Sequence, residues 1–151
     1  YQNMVSQIAA SYPTQAAVFL TFDLALAQLI YAGSDLFLMP SRFEPCGLGQ
    51  MIALRYGTIP VVRRTGGLAD TIHDAGPNLD AGNGFVFEQY TAQALLRALR
   101  RAETAFGHRE AWRLLMVRGM QADFSWEASA RRYVEMYGKA LELKRERRAA
   151  R

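Results

Sequence analysis

Short apolar runs alternate along this chain with longer amphipathic stretches, and this alternation is the feature that most constrains the fold. The runs at 17–22, 35–39, 58–62 and 84–87 have the length and composition of strands. The stretches between them carry apolar side chains at helical spacing. Strands that alternate with helices build parallel sheets. The sequence therefore predicts an α/β fold.

Caps and stop signals define the predicted helices. Asp23 and Ser125 are of the residue types that cap helix N-termini, and Gly57 is typical of a helix C-terminus. With these signals and the apolar spacing, we predict helices over 23–33, 47–56, 68–73, 92–106, 109–120 and about 125–145. No linker interrupts the pattern, so residues 1–151 fit one globular domain with a helical C-terminal extension.

Charge is concentrated at the C-terminus. The chain carries a net charge of +4, and the stretch from Lys139 to Arg151 has six cations and two anions, so the rest of the chain is neutral. We interpret this tail as a solvated helix end; an arm that binds a polyanion is the alternative. The body of the protein has no charge signature of a nucleic-acid partner.

Cysteine content and hydropathy indicate the compartment. The single cysteine, Cys46, cannot form an intramolecular disulfide and suits a reducing environment. The sequence opens without a signal peptide, and its most apolar stretch, 16–33, is interrupted by Asp23 and Gln28. We therefore expect a cytoplasmic protein that does not enter the membrane.

Two strand-to-helix junctions have the residues of a ligand site. Ligands of open α/β sheets bind beyond the carboxyl ends of the strands. The junction at 40–49 places the backbone amides of Gly47, Leu48 and Gly49 at a helix N-terminus, where a phosphate or diphosphate binds well. In the junction at 63–68, Gly66 and Gly67 allow a ligand to approach the backbone closely.

Glu44 refines the prediction for the first junction. A carboxylate and a diphosphate repel each other at one helix terminus, so Glu44 should face a neutral hydroxyl group or a developing cation. A sugar attached to the diphosphate meets both requirements. The alternative is that Glu44 caps the helix.

Three motifs carry a resemblance to a known family. Residues 41–48 read SRFEPCGL, residues 55–62 read RYGTIPVV and residues 65–71 read TGGLADT. Together with YAGSD at 31–35 and DFSW at 123–126, they closely resemble bacterial glycogen (starch) synthase, a retaining glycosyltransferase that uses ADP-glucose. The resemblance covers nearly the whole chain. Related transferases usually carry a second glutamate eight positions after the first, where this chain has Ile52, so a ribose-binding glutamate is not assigned.

The resemblance implies an architecture. The fold would be the Rossmann-like C-terminal domain of a two-domain transferase of the GT-B type, incomplete because its first two strands are missing. The helix at about 125–145 would return to an N-terminal Rossmann domain that this chain lacks, and with the missing strands would go an arginine and a lysine that hold the phosphates. The isolated chain is therefore expected to have no synthase activity and weak affinity for ADP.

The resemblance also implies residue roles. Glu44 would be catalytic, contacting glucose hydroxyls and stabilising charge at the anomeric carbon. The residues implied to bind substrate are Phe22, by stacking on adenine, Cys46, as a packing and shape element, Gly47, Leu48 and Gly49, through their amides, and Thr65, Gly66 and Gly67, along the cleft. For Phe22 the residues alone favour core packing. No metal or other cofactor is required, and neither His73 nor His108 has metal-ligand spacing.

The implied partners are ADP-glucose and an α-1,4-glucan acceptor. A related transferase that uses UDP-glucose and a non-catalytic nucleotide-binding module remain as alternatives. A nicotinamide-binding domain is disfavoured because no G-x-G-x-x-G follows a strand.

Overall fold

The computed structural model describes residues 1–149, which form two units, one of Tyr1–Ile30 and one that starts at Tyr31. The elements in chain order are α1 Gln2–Ser11, α2 Leu24–Gly33, β1 Leu36–Met39, α3 Gly49–Tyr56, β2 Ile59–Arg63, α4 Gly66–Thr71, β3 Phe85–Phe87, α5 Ala92–Phe106, α6 Arg109–Gln121 and α7 Trp126–Ala149. Arg151, part of the basic tail, lies outside the described residues.

The unit of Tyr1–Ile30 differs from the sequence prediction in two ways. The helix α1 has no side-chain cap and was not predicted. The strand predicted at 17–22 is wrong, because these residues are neither helix nor strand. A strand requires a neighbour for its N–H and C=O groups, and no described segment pairs with this one. Phe22 is 90% exposed, so the core-packing alternative for its ring is also wrong. Asp23 accepts from the amide of Leu26 at 3.0 Å, which confirms the predicted cap of α2.

The sheet of the second unit has three parallel strands in the order β1-β2-β3. Leu36 pairs with Ile59, and Val61 pairs with Phe85. The parallel α/β architecture is therefore confirmed. The continuous apolar run at 35–39 predicts a buried strand, but this prediction is wrong for β1, because Leu38 is 44% exposed. Among the named strands β1 has a neighbour on one side only.

Helices cover both faces of the sheet. Side chains alternate along each strand, so successive strand residues pack against helices on opposite faces. On one face, Ile59, Val61 and Phe85 pack against α5 and α6. The face of α5 that is buried there consists of Ala94, Ala98, Ala102 and Ala105. The helical spacing of Leu95, Leu96 and Leu99 predicts that these leucines form the apolar face of α5. Leu96 is exposed and the other two are only partly buried, since small alanines let the helix approach the strands closely.

The other face carries the helices that matter for the site. Val62 and Val86 pack there with Leu54 of α3 and Leu68 of α4. The helix α3 ends at Gly57, whose φ of 82° lies in the left-handed region, so the predicted stop is confirmed. The final helix α7 starts after the predicted cap Ser125, which accepts from the amide of Ala128 at 3.2 Å, and none of its described residues is buried.

Candidate active site

The carboxyl ends of the three parallel strands meet at one edge of the sheet, and the predicted site lies there. The segment 40–48, here called the Glu44 loop, follows β1 and leads into α3. The turn at Arg64–Thr65 follows β2 and leads into α4. The two connections are in contact, because the amide of Gly67 donates to the carbonyl of Glu44 at 3.1 Å. The structure thus brings together the two junctions singled out in the sequence.

The helix α3 begins at Gly49, two residues later than predicted. Gly47 has a φ of +72°, which no helix accommodates, and Leu48 is the N-cap. Leu48 accepts from the amides of Met51 and Ile52, at 3.0 Å each. Within residues 1–149 the amides of Gly47, Leu48 and Gly49 have no acceptor. The loop therefore presents unpaired N–H groups at the positive end of a helix dipole.

Most carbonyl groups of the Glu44 loop accept hydrogen bonds. Besides Leu48, five of its residues accept hydrogen bonds from outside the loop. The donors are Arg63 to Ser41 and Arg42, the amide of Gly67 to Glu44, and Gln50 to Cys46 and Gly47. In a trans peptide the C=O group and the N–H group of the next residue point in opposite directions. The carbonyls of Cys46 and Gly47 are bonded to the buried Gln50, so the amides of Gly47 and Leu48 point away from it.

Gln50 makes part of this support and is completely buried. Its Nε2 donates to the carbonyls of Gly47 at 2.8 Å and Cys46 at 3.3 Å, and to the hydroxyl of Thr71 at 3.1 Å. Thr71 in turn donates to the carbonyl of Gly67 at 2.7 Å, which ties α3 to α4. The Oε1 atom of Gln50 has no hydrogen-bond partner in the described structure. A buried acceptor without a donor costs about 1–3 kcal/mol.

Packing explains why residues 66 and 67 are both glycine, which the sequence alone did not reveal. A Cβ atom on Gly66 would lie 1.9 Å from the carbonyl oxygen of Glu44, and one on Gly67 would lie 2.0 Å from that of Cys46. Both glycines are therefore required for the Glu44 loop to pack on α4. Thr65 is the N-cap of α4, is half-buried and makes no capping bond through its side chain. Contacts of these three residues with a ligand remain a prediction.

The carboxylate of Glu44 is available for a ligand. It is half-buried and accepts from the hydroxyl of Ser41 at 3.3 Å. The helix α3 has no side-chain cap, so the alternative that Glu44 caps it is wrong. Among the described residues no cation forms an ion pair with Glu44, whereas Arg64 pairs with Glu88 at 2.6 Å.

Arg42 of the loop and Arg63 of β2 contact the same aromatic ring. The guanidinium groups of Arg42 and Arg63 lie 6.0 and 5.5 Å from the ring centre of Tyr90, and Arg42 also lies 5.4 Å from that of Phe43. Such contacts between cations and rings are each modest in energy. They fix the start of the Glu44 loop to the end of β2 and to the segment after β3.

The remaining candidates are placed as follows. The side chain of Cys46 is exposed. Phe22 belongs to the unit of Tyr1–Ile30, and its stacking on adenine stays a prediction. Over residues 1–149, no three side chains of His, Cys, Asp or Glu are grouped to hold a metal ion. In the same range no helix has the length and apolar character needed to cross a bilayer.

Two supporting residues were missed by the sequence reasoning. Gln50 is spaced with the buried residues Ala53 and Leu54 on one face of α3, so a polar residue on an apolar face was the available signal. Arg63 ends a strand whose other residues are all buried. Their bonding partners are 3 to 22 residues away in sequence, and no local pattern identifies them.

Known proteins share the sequence and the fold of this chain. Residues 1–113 match a family described as "Glycosyl transferases group 1". The glycogen synthases of Syntrophotalea carbinolica and Moorella thermoacetica are 57% and 58% identical to the chain over 95% and 96% of its length. The chain spans about 30% of the length of each of these relatives.

Solved structures place the fold in the same group. The catalytic domain of starch synthase IV from Arabidopsis thaliana, bound to ADP and acarbose, is 41% identical with a TM-score of 0.75; the match covers 93% of this chain and 30% of that one. Sucrose-phosphate synthase from Thermosynechococcus elongatus shares the fold at 21% identity and a TM-score of 0.62, over 93% and 34% of the two chains. The predicted fold class and the resemblance to glycogen and starch synthases are confirmed. By the match over residues 1–113, the chain belongs to the group 1 glycosyl transferases.

Proposed function

We propose that this chain supplies the nucleotide-sugar site of a glycogen or starch synthase, which transfers glucose from ADP-glucose to the non-reducing end of an α-1,4-glucan. The observation that carries the proposal is the Glu44 loop, in which three amides are unpaired while the carbonyls of Cys46 and Gly47 accept hydrogen bonds from Gln50. The identity to enzymes named glycogen synthase supports it, as does the starch synthase solved with ADP.

The proposed chemistry uses the two sides of the loop differently. The amides of Gly47, Leu48 and Gly49 donate to the diphosphate of the leaving ADP, whose negative charge increases as the bond from anomeric carbon to oxygen breaks. The Glu44 carboxylate faces the glucose hydroxyls and stabilises the positive charge that develops at the anomeric carbon. The 4-hydroxyl of the acceptor glucan forms the new bond on the same face of the sugar. Its proton passes to the leaving diphosphate, and the configuration is retained.

The remaining site residues have supporting roles in this proposal. Phe22 stacks on adenine, Cys46 shapes the cleft, and Thr65, Gly66 and Gly67 border the phosphates and glucose. The N-terminal domain of the relatives is proposed to bring the acceptor, with α7 returning to it.

Replacement of the Glu44 carboxylate tests the proposal in the complete polypeptide that contains this chain. Glu44→Gln should lower transfer of labelled glucose from ADP-glucose to glycogen by at least about 100-fold, the size typical of losing one electrostatic contact to a transition state. Glu88→Gln is the matched control, because Glu88 is exposed and pairs with Arg64. It should leave transfer unchanged.

Three outcomes would contradict the proposal. If Glu44→Gln retains a third or more of the wild-type rate, Glu44 is not catalytic. If UDP displaces a fluorescent ADP analogue as well as ADP does, the nucleotide assignment is wrong. If the complete protein binds ADP without any transfer to glucan, it is a nucleotide-binding module and not a synthase.

A further inference from the structure

Gln50 occupies a position where an apolar side chain would be expected. It lies on the buried face of α3 beside Ala53 and Leu54, and no part of it reaches solvent. Its amide orientation is fixed by chemistry, since Nε2 is near three acceptors and an oxygen in its place would be near two carbonyls.

The unpaired Oε1 atom of Gln50 indicates that stability alone does not explain this residue. A buried acceptor without a donor is unfavourable, and an unbranched apolar side chain of similar length would fill the volume without that cost. Local violations of this kind occur where a structure serves a site. Here the donor half of the same amide holds the carbonyls of Cys46 and Gly47.

The position of Gly47 adds an independent constraint. A Cβ atom on Gly47 would lie 2.6 Å from Oε1 of Gln50, and its φ of +72° also favours glycine. The Gln50 amide therefore lies directly against the residue that begins the row of free amides. The second route of support runs through Thr71 to the carbonyl of Gly67, whose own amide bonds Glu44.

We propose that Gln50 is a positioning residue for the diphosphate. By holding the carbonyls of Cys46 and Gly47, it turns the amides of Gly47 and Leu48, which belong to the same two peptide planes, away from the buried side of the loop. It acts through these amides and does not contact the ligand. This inference rests on the proposed function, because it assumes that the diphosphate of ADP binds at these amides.

The test compares ADP with adenosine, which lacks the diphosphate, in the complete polypeptide. Gln50→Met keeps the side-chain length and removes the donor. It should raise the dissociation constant of ADP, measured by calorimetry, about tenfold relative to the inhibition constant of adenosine, which should stay within about twofold. A residue with a structural role only would change the two affinities in parallel or not at all.

Two further variants make the test decisive. Thr71→Val removes one acceptor of Gln50 and should shift the same ratio in the same direction by a smaller factor, about threefold, so it stands in if Gln50→Met does not fold. Thr58→Val is the matched control, because Thr58 is also buried and its single hydroxyl hydrogen lies between the carbonyls of Tyr31 and Ser34. It should leave the ratio unchanged.

The outcomes separate this inference from the proposed function. If the wild-type protein fails to bind ADP, the proposed function is overturned and this inference with it. If the wild type binds ADP and the ratio is unchanged in both Gln50→Met and Thr71→Val, the positioning role of Gln50 alone is overturned. If Thr58→Val shifts the ratio as much as Gln50→Met does, the role is also overturned, because any buried hydrogen bond would then suffice.

Discussion

Replacing Gly67 by alanine should separate the two halves of the site. The new Cβ atom would lie 2.0 Å from the carbonyl oxygen of Cys46, whereas real Cβ contacts essentially never fall below 3.0 Å. The oxygen must therefore retreat by about 1 Å. That movement also strains the bond from the Gly67 amide to the carbonyl of Glu44, which is 3.1 Å long.

The size of the effect follows from these two contacts. Overpacking of this kind costs about 1–3 kcal/mol, and loss of one backbone hydrogen bond costs about 1 kcal/mol. We therefore expect the free energy of unfolding to fall by about 2–4 kcal/mol if the loop stays in place. If the loop moves instead, stability falls less, and a displacement of about 1 Å at the reacting groups should lower turnover up to 100-fold.

The assay measures both quantities on one preparation. Urea unfolding gives the stability, and glucose transfer to glycogen gives the turnover. Gly33→Ala at the end of α2 is the control, because Gly33 is exposed and a Cβ atom there has no neighbour within 4 Å. It should leave turnover unchanged and the free energy of unfolding within about 0.5 kcal/mol of the wild-type value. A Gly67→Ala protein with wild-type stability and wild-type turnover would refute the reasoning.

Two further predictions concern exposed and charged groups. ADP-glucose should slow alkylation of the exposed Cys46 thiol by iodoacetamide, and equal rates with and without saturating ligand would contradict this. Burial raises the pKa of Asp74, but hydrogen bonds from Arg101 and from the amides of Val86 and Gly76 outweigh it, so the pKa lies below 3.8. Its stabilising effect is then complete above the unfolded-state pKa and is lost as the pH falls through the lower folded-state value. Asp74→Asn should therefore reduce the loss of stability between about pH 5 and pH 2, as measured by urea unfolding, and an unchanged loss would contradict it.

The parts of the fold that depend on neighbours in sequence were predictable. Asp23 and Ser125 cap their helices, and Gly57 ends α3, because each acts within three or four residues. The absence of a strand at 17–22 was not predictable, since a strand needs a neighbouring strand and the apolar pattern of one segment does not show whether a neighbour is present. The face of α5 that packs on the sheet was not predictable from its leucines for a related reason. It depends on how closely the helix approaches the strands, and the alanine face allows the closer approach.

For the candidate site, the composition of the loops was predictive, whereas the hydrogen bonds that hold the loops in place could not be predicted from the sequence. The spacing of Glu44 and the residues of 47–49 follows from one segment of sequence, as does the expectation of free amides. The bonds from Arg63 and Gln50 depend on how β2, α3 and α4 meet in space. The clash positions of Gly66 and Gly67 depend on the same packing.

The Glu44 loop is fastened almost entirely through main-chain atoms, and this has an evolutionary consequence. Exposed side chains such as those of Pro45 and Leu48 can be exchanged during divergence without shifting the bonded carbonyls of the loop. If the proposed phosphate site is correct, the preference for one base or one sugar drifts among descendants while the amides that bind phosphate are inherited unaltered. Natural variation should be rare at Gly66 and Gly67, which pack against the loop, because a single added methyl group has no room there.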